Sequence, residues 1–391
     1  MTTDSRDSPR TPDPASRPSP GSAPAPTVGP VPRAGVADHD LTSRTARSVL
    51  WTVLRSGVTN VLQIVVYFTL LALLVPEDFG LVAAATVFIA TISFLVNGGF
   101  AEALIQRSEL TGRQINTAFW AGNAIAAVMT CGTLLFAFLG PFDRFFDDPR
   151  IVWILAALTL HLPLTALISV PQALLAREMR FKTLAKVEVI AALASSATGI
   201  GVALAGGGAW ALVMQTMTQR ALTVAGCWVA AGWRPAFEFD RAEVKPLVSF
   251  GSSLVGVRFM EHLANYADQF LVGGFLSLAA LGIYQVGQRV SEQVLVVMYL
   301  TVGATALPAL AKLQGDRDRL NRVTVGGSQL LVFLGVPMFV GLAVIAPDFV
   351  LLFDEEWEGA GPLLKELLPA AVPAFEGVSA VDAHVRRYPG A

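Results

Sequence analysis

Nine apolar runs, each of about twenty residues or more, occupy most of the chain between Ser48 and Ala346. They fall at about 48–75, 80–104, 115–139, 150–174, 184–205, 209–231, 247–273, 280–308 and 323–346. About 20 mostly apolar residues cross the hydrocarbon of a bilayer, and inside it a helix satisfies its own backbone polar groups. The expected fold is therefore an all-α, polytopic transmembrane helical bundle. Composition agrees, since 53% of residues are hydrophobic and only 15% charged, against about 25% charged in soluble domains. A net charge of -2 leaves no basic excess for nucleic acid. Cys131 and Cys227 both lie within apolar runs and read as small buried hydrophobes rather than a disulfide or a metal pair.

The breaks between runs carry helix punctuation. "VPEDFG" (75–80), "GPFDRFFDDPR" (140–150) and "AGGGA" (205–209) supply Pro, Gly and Asp. Pro163, Pro171, Pro308 and Pro337 sit in or at the ends of runs and predict kinks. Residues 1–42 differ in kind. They are rich in Pro, Ser and Ala, have little to bury, and are expected to be a disordered cytoplasmic tail rather than a secretory signal. Residues 43–233 then form a first lobe of six transmembrane helices, and 234–376 a second lobe of three to four. The last segment, 377–391, dissolves into Pro, Gly and charge and reads as an atypical, unstructured tail.

Basic residues alternate between loops. Arg44 and Arg47, Arg107 and Arg113, Arg177, Arg180, Lys182 and Lys186, then Arg234, Arg241 and Lys245, then Lys312, Arg317, Arg319 and Arg322 share one side. The other side has Arg144 and Arg150 against Asp143, Asp147 and Asp148, then Asp348 and the acidic "FDEEWEG" (353–359). The bias toward cytoplasmic Lys and Arg places the N-terminus inside. "FDEEWEG" then reads as a solvated outer loop rather than a metal or acid/base pair.

The halves repeat. Phe79-Gly80-Leu81 aligns with Leu281-Gly282-Ile283 at an offset of 202 residues, with apolar runs on either side, and Arg55 falls beside Arg258. Internal repeats of this kind build transporters.

Within the runs, polar residues form helical stripes. In the seventh, Glu261, His262, Asn265, Asp268 and Gln269 stand at +3, +4, +7, +10 and +11 from Arg258. The first has Thr52, Arg55, Thr59 and Gln63; the sixth Thr216, Gln219, Arg220 and Thr223; the eighth Gln285, Gln288, Arg289 and Glu292. The second has Ser93 and Asn97, the third Asn116 and Asn123. An ionisable side chain at the bilayer centre costs roughly 2.5–3.5 kcal/mol on insertion scales. A stripe of them makes sense if it lines water or a polar ligand. Ion pairs that hold the bundle together, such as Arg258 with Glu261 or Arg289 with Glu292, are the alternative, and for Asp268 an end-of-helix structural role has equal standing.

"LLVPEDFGLVAAATVFI", "GGFAEALIQR", "ALLAREMRFKTLAKVE", "GGGAWALV" and "YADQFLVGGFLSLAALGIYQVGQRV" together resemble, in order and spacing, the bacterial polysaccharide (Wzx-type) flippases of the multidrug/oligosaccharidyl-lipid/polysaccharide flippase superfamily. The likeness runs from about Ser43 to Leu368. It implies two pseudo-symmetric lobes, a cationic central cavity and alternating access that carries polyprenyl-pyrophosphate-linked oligosaccharide from the inner to the outer leaflet of the cytoplasmic membrane. On that resemblance Arg55 and Arg258 hold the pyrophosphate; the polar stripes add Arg289 to the same cationic site and Thr59, Gln63, Glu261, His262 and Asn265 to the substrate-binding lining. No cofactor or metal is implied. Membrane lipids surround the chain, and glycan polymerases or glycosyltransferases of the pathway are the protein partners. Against the family pattern the second lobe ends two helices early, so a truncated product is expected. The competing readings are a cation-coupled multidrug exporter, a non-transporting membrane scaffold, and a membrane enzyme. The short loops offer no catalytic domain for the last.

Overall fold

The computed structural model describes residues 57, 59–97, 104, 110–140, 146, 148–238, 240, 259–260, 263–293, 295 and 317–350, with 357, 362 and 365. The expected tails at 1–42 and 377–391, and the stripe residues Arg55, Arg258, Glu261 and His262, lie outside the described residues.

Every regular element described is helical. The helices are α1 (Thr59–Leu71), α2 (Pro76–Asn97), α3 (Gly112–Leu139), α4 (Arg150–Thr159), α5 (His161–Arg177), α6 (Phe181–Leu204), α7 (Trp210–Ala231), α8 (263–275), α9 (278–293) and α10 (Arg317–Val350). Within the described residues each of the nine expected runs contains a helix, the fourth both α4 and α5 in series. That break has a local cause. Pro163 lacks the N–H that would reach Thr159, and its ring crowds the Thr159 carbonyl, so the helix stops at Thr159 and restarts at His161. Pro171 is instead held inside α5. The carbonyl it leaves without a partner, that of Leu167, accepts from Trp228 Nε1 on α7 at 3.0 Å. A neighbouring helix thus repairs the backbone, as a proline in lipid requires.

α2, α3, the α4–α5 pair and α6 are long and apolar enough to cross a membrane by composition alone. α7 has the same 22-residue length as α2 and is not among them, because Gln215, Thr216, Gln219 and Arg220 interrupt it. The outside of the bundle is apolar. Leu139, Trp153, Ile190, Leu204 and Val229 are exposed, the side-chain distribution of a surface that faces hydrocarbon rather than water. Cys131 is on this surface and only Cys227 is buried, so the sequence expectation of two buried cysteines holds for one of them. A thiol is apolar enough to face lipid, which is why burial was not needed.

Inside the first lobe α2 packs on α4, α3 on α5, and α7 on both α5 and α6. Small residues permit the closest approaches. A Cβ on Gly226 would stand 2.5 Å from Val187 Cγ1, and one on Gly199 3.0 Å from Gln215 Cβ. Close packing of this type is how helices associate in lipid, where apolar contact alone gives no preference.

Three turns gather at one end of the bundle. Asp78, 6% exposed, accepts a hydrogen bond from the Ala209 backbone and lies against Gly208, whose φ is +53°. Arg150 bridges to Asp148 at 2.7 Å, Glu77 at 3.5 Å and Asp78 at 3.7 Å. "VPEDFG", "FDDPR" and "AGGGA" are thereby tied into one polar cap. Trp357 belongs to this end too. It is 2% exposed, its Nε1 donates to the Leu74 carbonyl at 3.2 Å, and its ring meets Phe79 edge-on at 5.5 Å. The expectation of a solvated "FDEEWEG" therefore fails at Trp357, whose indole has more apolar area to bury than a short loop can leave in water.

At the opposite end Arg180 Nη1 donates to the Ala230 carbonyl at 3.0 Å, in the last turn of α7, and Arg177 Nη1 to that of Leu104 at 3.1 Å. Guanidinium groups at a helix C-terminus satisfy its free carbonyls and its dipole.

Candidate functional site

α1 presents Thr59, Gln63 and Tyr67 at successive spacings of four, one face of a helix. Gln63 and Tyr67 line a cavity of about 160 Å³. α6 contributes Ala192, Ser195 and Ser196 to it, α7 contributes Gln215, Thr216 and Gln219, and α9 contributes Arg289. Gly199 is what lets the Gln215 side chain fit against α6. Among the described lining residues, those of α1, α6 and α7 are uncharged and α9 supplies the cation.

Arg289 is positioned from two sides. Its Nη1 reaches Glu292 Oε2 at 3.2 Å, one turn along α9, and its Nη2 reaches Gln63 Oε1 at 3.4 Å across the lobes. Arg289 is thus both paired and part of the cavity lining. Tyr67 Oη, a cavity residue's hydroxyl, is buried with no hydrogen-bond partner among the described residues. Thr59 Oγ1, one turn from Gln63, is also buried and without one.

Other stripe residues are satisfied elsewhere. Asn265 is exposed and outside the lining. Asp268 accepts from Tyr284 Oη, Gln285 donates to Gln269 at 3.0 Å and Gln269 to Gln288 at 2.5 Å. These three contacts of α8 and α9 zip the two helices together. Asn116, 6% exposed, accepts from the Ala236 backbone at 3.2 Å, and Asn123 donates to the Phe119 carbonyl at 2.8 Å. Asn116 thus serves the segment after α7 and Asn123 its own helix, and neither is among the cavity lining residues. Tyr67 went unnoticed in the sequence because it reads as part of an apolar run. The four-residue step from Thr59 through Gln63 was the signal that pointed to it. Among the described residues no group of three or more His, Cys, Asp or Glu stands ready for a metal.

The described residues thus form an all-helical bundle of membrane-spanning character in which α1, α6, α7 and α9 line a polar cavity that includes the Arg289 cation. The lipid II flippase MurJ, in an inward closed conformation, shares the fold at a TM-score of 0.62, with 12% identity over 87% of this chain and 75% of that one. A multidrug resistance MATE family transporter of the MOP superfamily, inward-facing, gives 0.54, 14%, 78% and 75%. The chain belongs to the polysaccharide biosynthesis protein family, whose pattern it matches over residues 69–362. Relatives include the succinoglycan biosynthesis transport protein ExoT of Rhizobium meliloti (27% identical, 81% of this chain, 64% of that protein). The lipopolysaccharide biosynthesis protein WzxC of Escherichia coli is 24% identical over 84% of this chain and 67% of its own length. The chain therefore spans about two thirds of the length of these relatives.

Proposed function

We propose that this protein is a flippase that moves polyprenyl-pyrophosphate-linked glycans from the inner to the outer leaflet of the cytoplasmic membrane by alternating access. Its N-terminus is cytoplasmic, its two lobes of helices rock about the cavity, and polymerases or glycosyltransferases of the same pathway are its neighbours. The observation that carries the reading is Arg289, a guanidinium held at the mouth of a polar cavity between the lobes. A diphosphate leaving water needs fixed positive charge, and a guanidinium fork matches two of its oxygens. Arg55 and Arg258 complete the cationic site. The names of ExoT and WzxC, as transport and biosynthesis proteins, and of MurJ, as a lipid II flippase, support it. A cation-coupled drug exporter fits less well, because the lining among the described residues includes a guanidinium and no carboxylate.

A cavity of about 160 Å³ is below the roughly 300 Å³ at which pockets hold drug-sized ligands, so the lobes separate to admit a whole substrate head. The test is transport of a fluorescent polyprenyl-diphosphate glycan in proteoliposomes. Arg289→Ala is expected to abolish most of it and Arg289→Lys to keep part. Wild-type transport by Arg289→Ala sinks the reading.

A further inference from the structure

We infer that the cavity is divided by hydrogen-bond polarity into a diphosphate subsite, Arg289 with Tyr67, and a facing subsite on α6 and α7 that takes the hydroxyls of the sugar next to the diphosphate. This rests on the reading of the chain as a carrier of diphosphate-linked glycans.

The division follows from counting donors and acceptors. Arg289 donates only. The acceptor nearest to it in the lining, Gln63 Oε1, is already engaged at 3.4 Å. Tyr67 Oη is buried beside this arrangement with its proton unmatched. An arginine offers no lone pair, so it cannot satisfy that proton. A buried, unsatisfied hydroxyl costs about 1–3 kcal/mol. It persists where a ligand repays it, and here the ligand must bring acceptor oxygens. A phosphate oxygen is the acceptor that suits a phenol and a guanidinium together.

The opposite wall has the reverse character. Ser195 and Ser196 spend their protons on the Ala192 carbonyl, at 3.0 and 2.6 Å. Thr216 spends its own on that of Leu212 at 2.9 Å. Each hydroxyl then meets the cavity only as an acceptor. Gln215 and Gln219 add amides that both accept and donate. An anion finds three lone-pair donors of the wrong sign on this wall, whereas sugar hydroxyls, which must donate, find their partners. Wall and cation come from different lobes, so only a ligand with both parts joined spans them.

Binding to the purified full chain in lipid nanodiscs separates the subsites. The probes are polyprenol, polyprenyl diphosphate, and polyprenyl diphosphate carrying one glucose, galactose or N-acetylglucosamine. In the wild type at least one glycosylated probe is expected to bind tighter than the bare diphosphate. Tyr67→Phe should weaken bare and glycosylated diphosphates alike, by about three- to tenfold, the worth of one hydrogen bond. Ser195→Ala, Ser196→Ala and Gln219→Leu should weaken only the glycosylated probe, each by a similar factor, and thermal melting of each variant reports its fold. Equal loss for both diphosphate probes in the wall variants, or no loss for either, overturns the division. So does a Tyr67→Phe effect confined to the glycosylated probe. Those outcomes leave the flippase reading standing. If polyprenol binds as well as its diphosphate, and Arg289→Ala changes neither, the flippase reading and the division fail together.

Discussion

Gly80 of α2 and Gly282 of α9 cross backbone to backbone, each lying against the carbonyl of the residue four before the other. A Cβ on Gly80 would collide with the carbonyl of Leu278, and one on Gly282 with that of Pro76. Pro76 and Leu278, like Gly80 and Gly282, are related by the 202-residue offset of the internal repeat. The contact is therefore its own mirror about a pseudo-two-fold axis. Repeat symmetry fixes its form, and glycine is needed on both strands of it, since neither helix can recede without opening the other half.

That geometry gives the first prediction. A methyl on Gly282 would stand 2.9 Å from the Pro76 carbonyl carbon and 3.0 Å from Gly80 N, and one on Gly80 2.5 Å from the Leu278 carbonyl carbon. These are backbone atoms and cannot rotate away. Gly80→Ala and Gly282→Ala should each cost about 1–3 kcal/mol of folding stability, as overpacking does, by melting in detergent. The double variant should lose clearly less than the sum, because one methyl already parts the helices. Full additivity would mean the two glycines do not share one contact.

The second concerns Trp228. Its Nε1 satisfies the Leu167 carbonyl that Pro171 leaves free. Trp228→Phe should destabilise by about 1–3 kcal/mol, the cost of a buried unsatisfied carbonyl. In a Pro171→Ala background the helix N–H returns to that carbonyl, and the same substitution should cost less. Equal costs in the two backgrounds would show that the indole acts by packing against Phe119 and Trp233 rather than by its N–H.

The third is a pH effect at the polar cap. Burial pushes the Asp148 carboxyl up, but the hydrogen bonds from the Arg150 side chain and backbone, with its charge, outweigh this and hold the group below its usual range. A carboxyl depressed in the folded state adds stability that is full above its unfolded pKa and is lost as pH falls through the folded one. Asp148→Asn should therefore lower the melting temperature at pH 7, and the two proteins should converge as the pH drops below the ordinary carboxylate range of about 4. The Arg150 side chain is 53% exposed, so the effect stays at or under about 1 kcal/mol. A gap that is unchanged by acid would assign it to the loop backbone instead.

The membrane class and helix spacing were legible because hydrocarbon imposes length and apolarity on each run separately. The break at Pro163 was legible for the same local reason, but at Pro171, which stays inside α5, the partner of the Leu167 carbonyl was not, since Trp228 lies 61 residues beyond Leu167. Polar stripes were ambiguous by nature. Thr59 and Gln63 flank a cavity, while Asn116 looks alike in sequence and serves the Ala236 backbone 120 residues away. A polar side chain in lipid must find a partner, and sequence periodicity tells which face it is on but not what meets it. Trp357 misled for the opposite reason: its acidic neighbours dominate the composition of a segment whose one aromatic decides where it sits.

The last prediction separates the two bonds of Arg289. If its place is to pair with Glu292, removing either partner should have the same result, lost stability with little change in ligand binding. If it serves the cavity, the variants should diverge. Glu292 is half exposed and competes with an incoming diphosphate for the same guanidinium. Glu292→Gln should therefore keep the fold and bind polyprenyl diphosphate as tightly as the wild type or tighter, with the gain shrinking as salt is raised. Arg289→Ala should weaken that binding by about tenfold or more, in line with about 1.5–3 kcal/mol for a hydrogen bond to a charged group. Arg289→Lys should fall between, since it keeps the charge and loses the fork. Equal melting losses for Glu292→Gln and Arg289→Ala, with diphosphate binding unaltered in both, would make the pair a strut of α9 and remove the cation from the site.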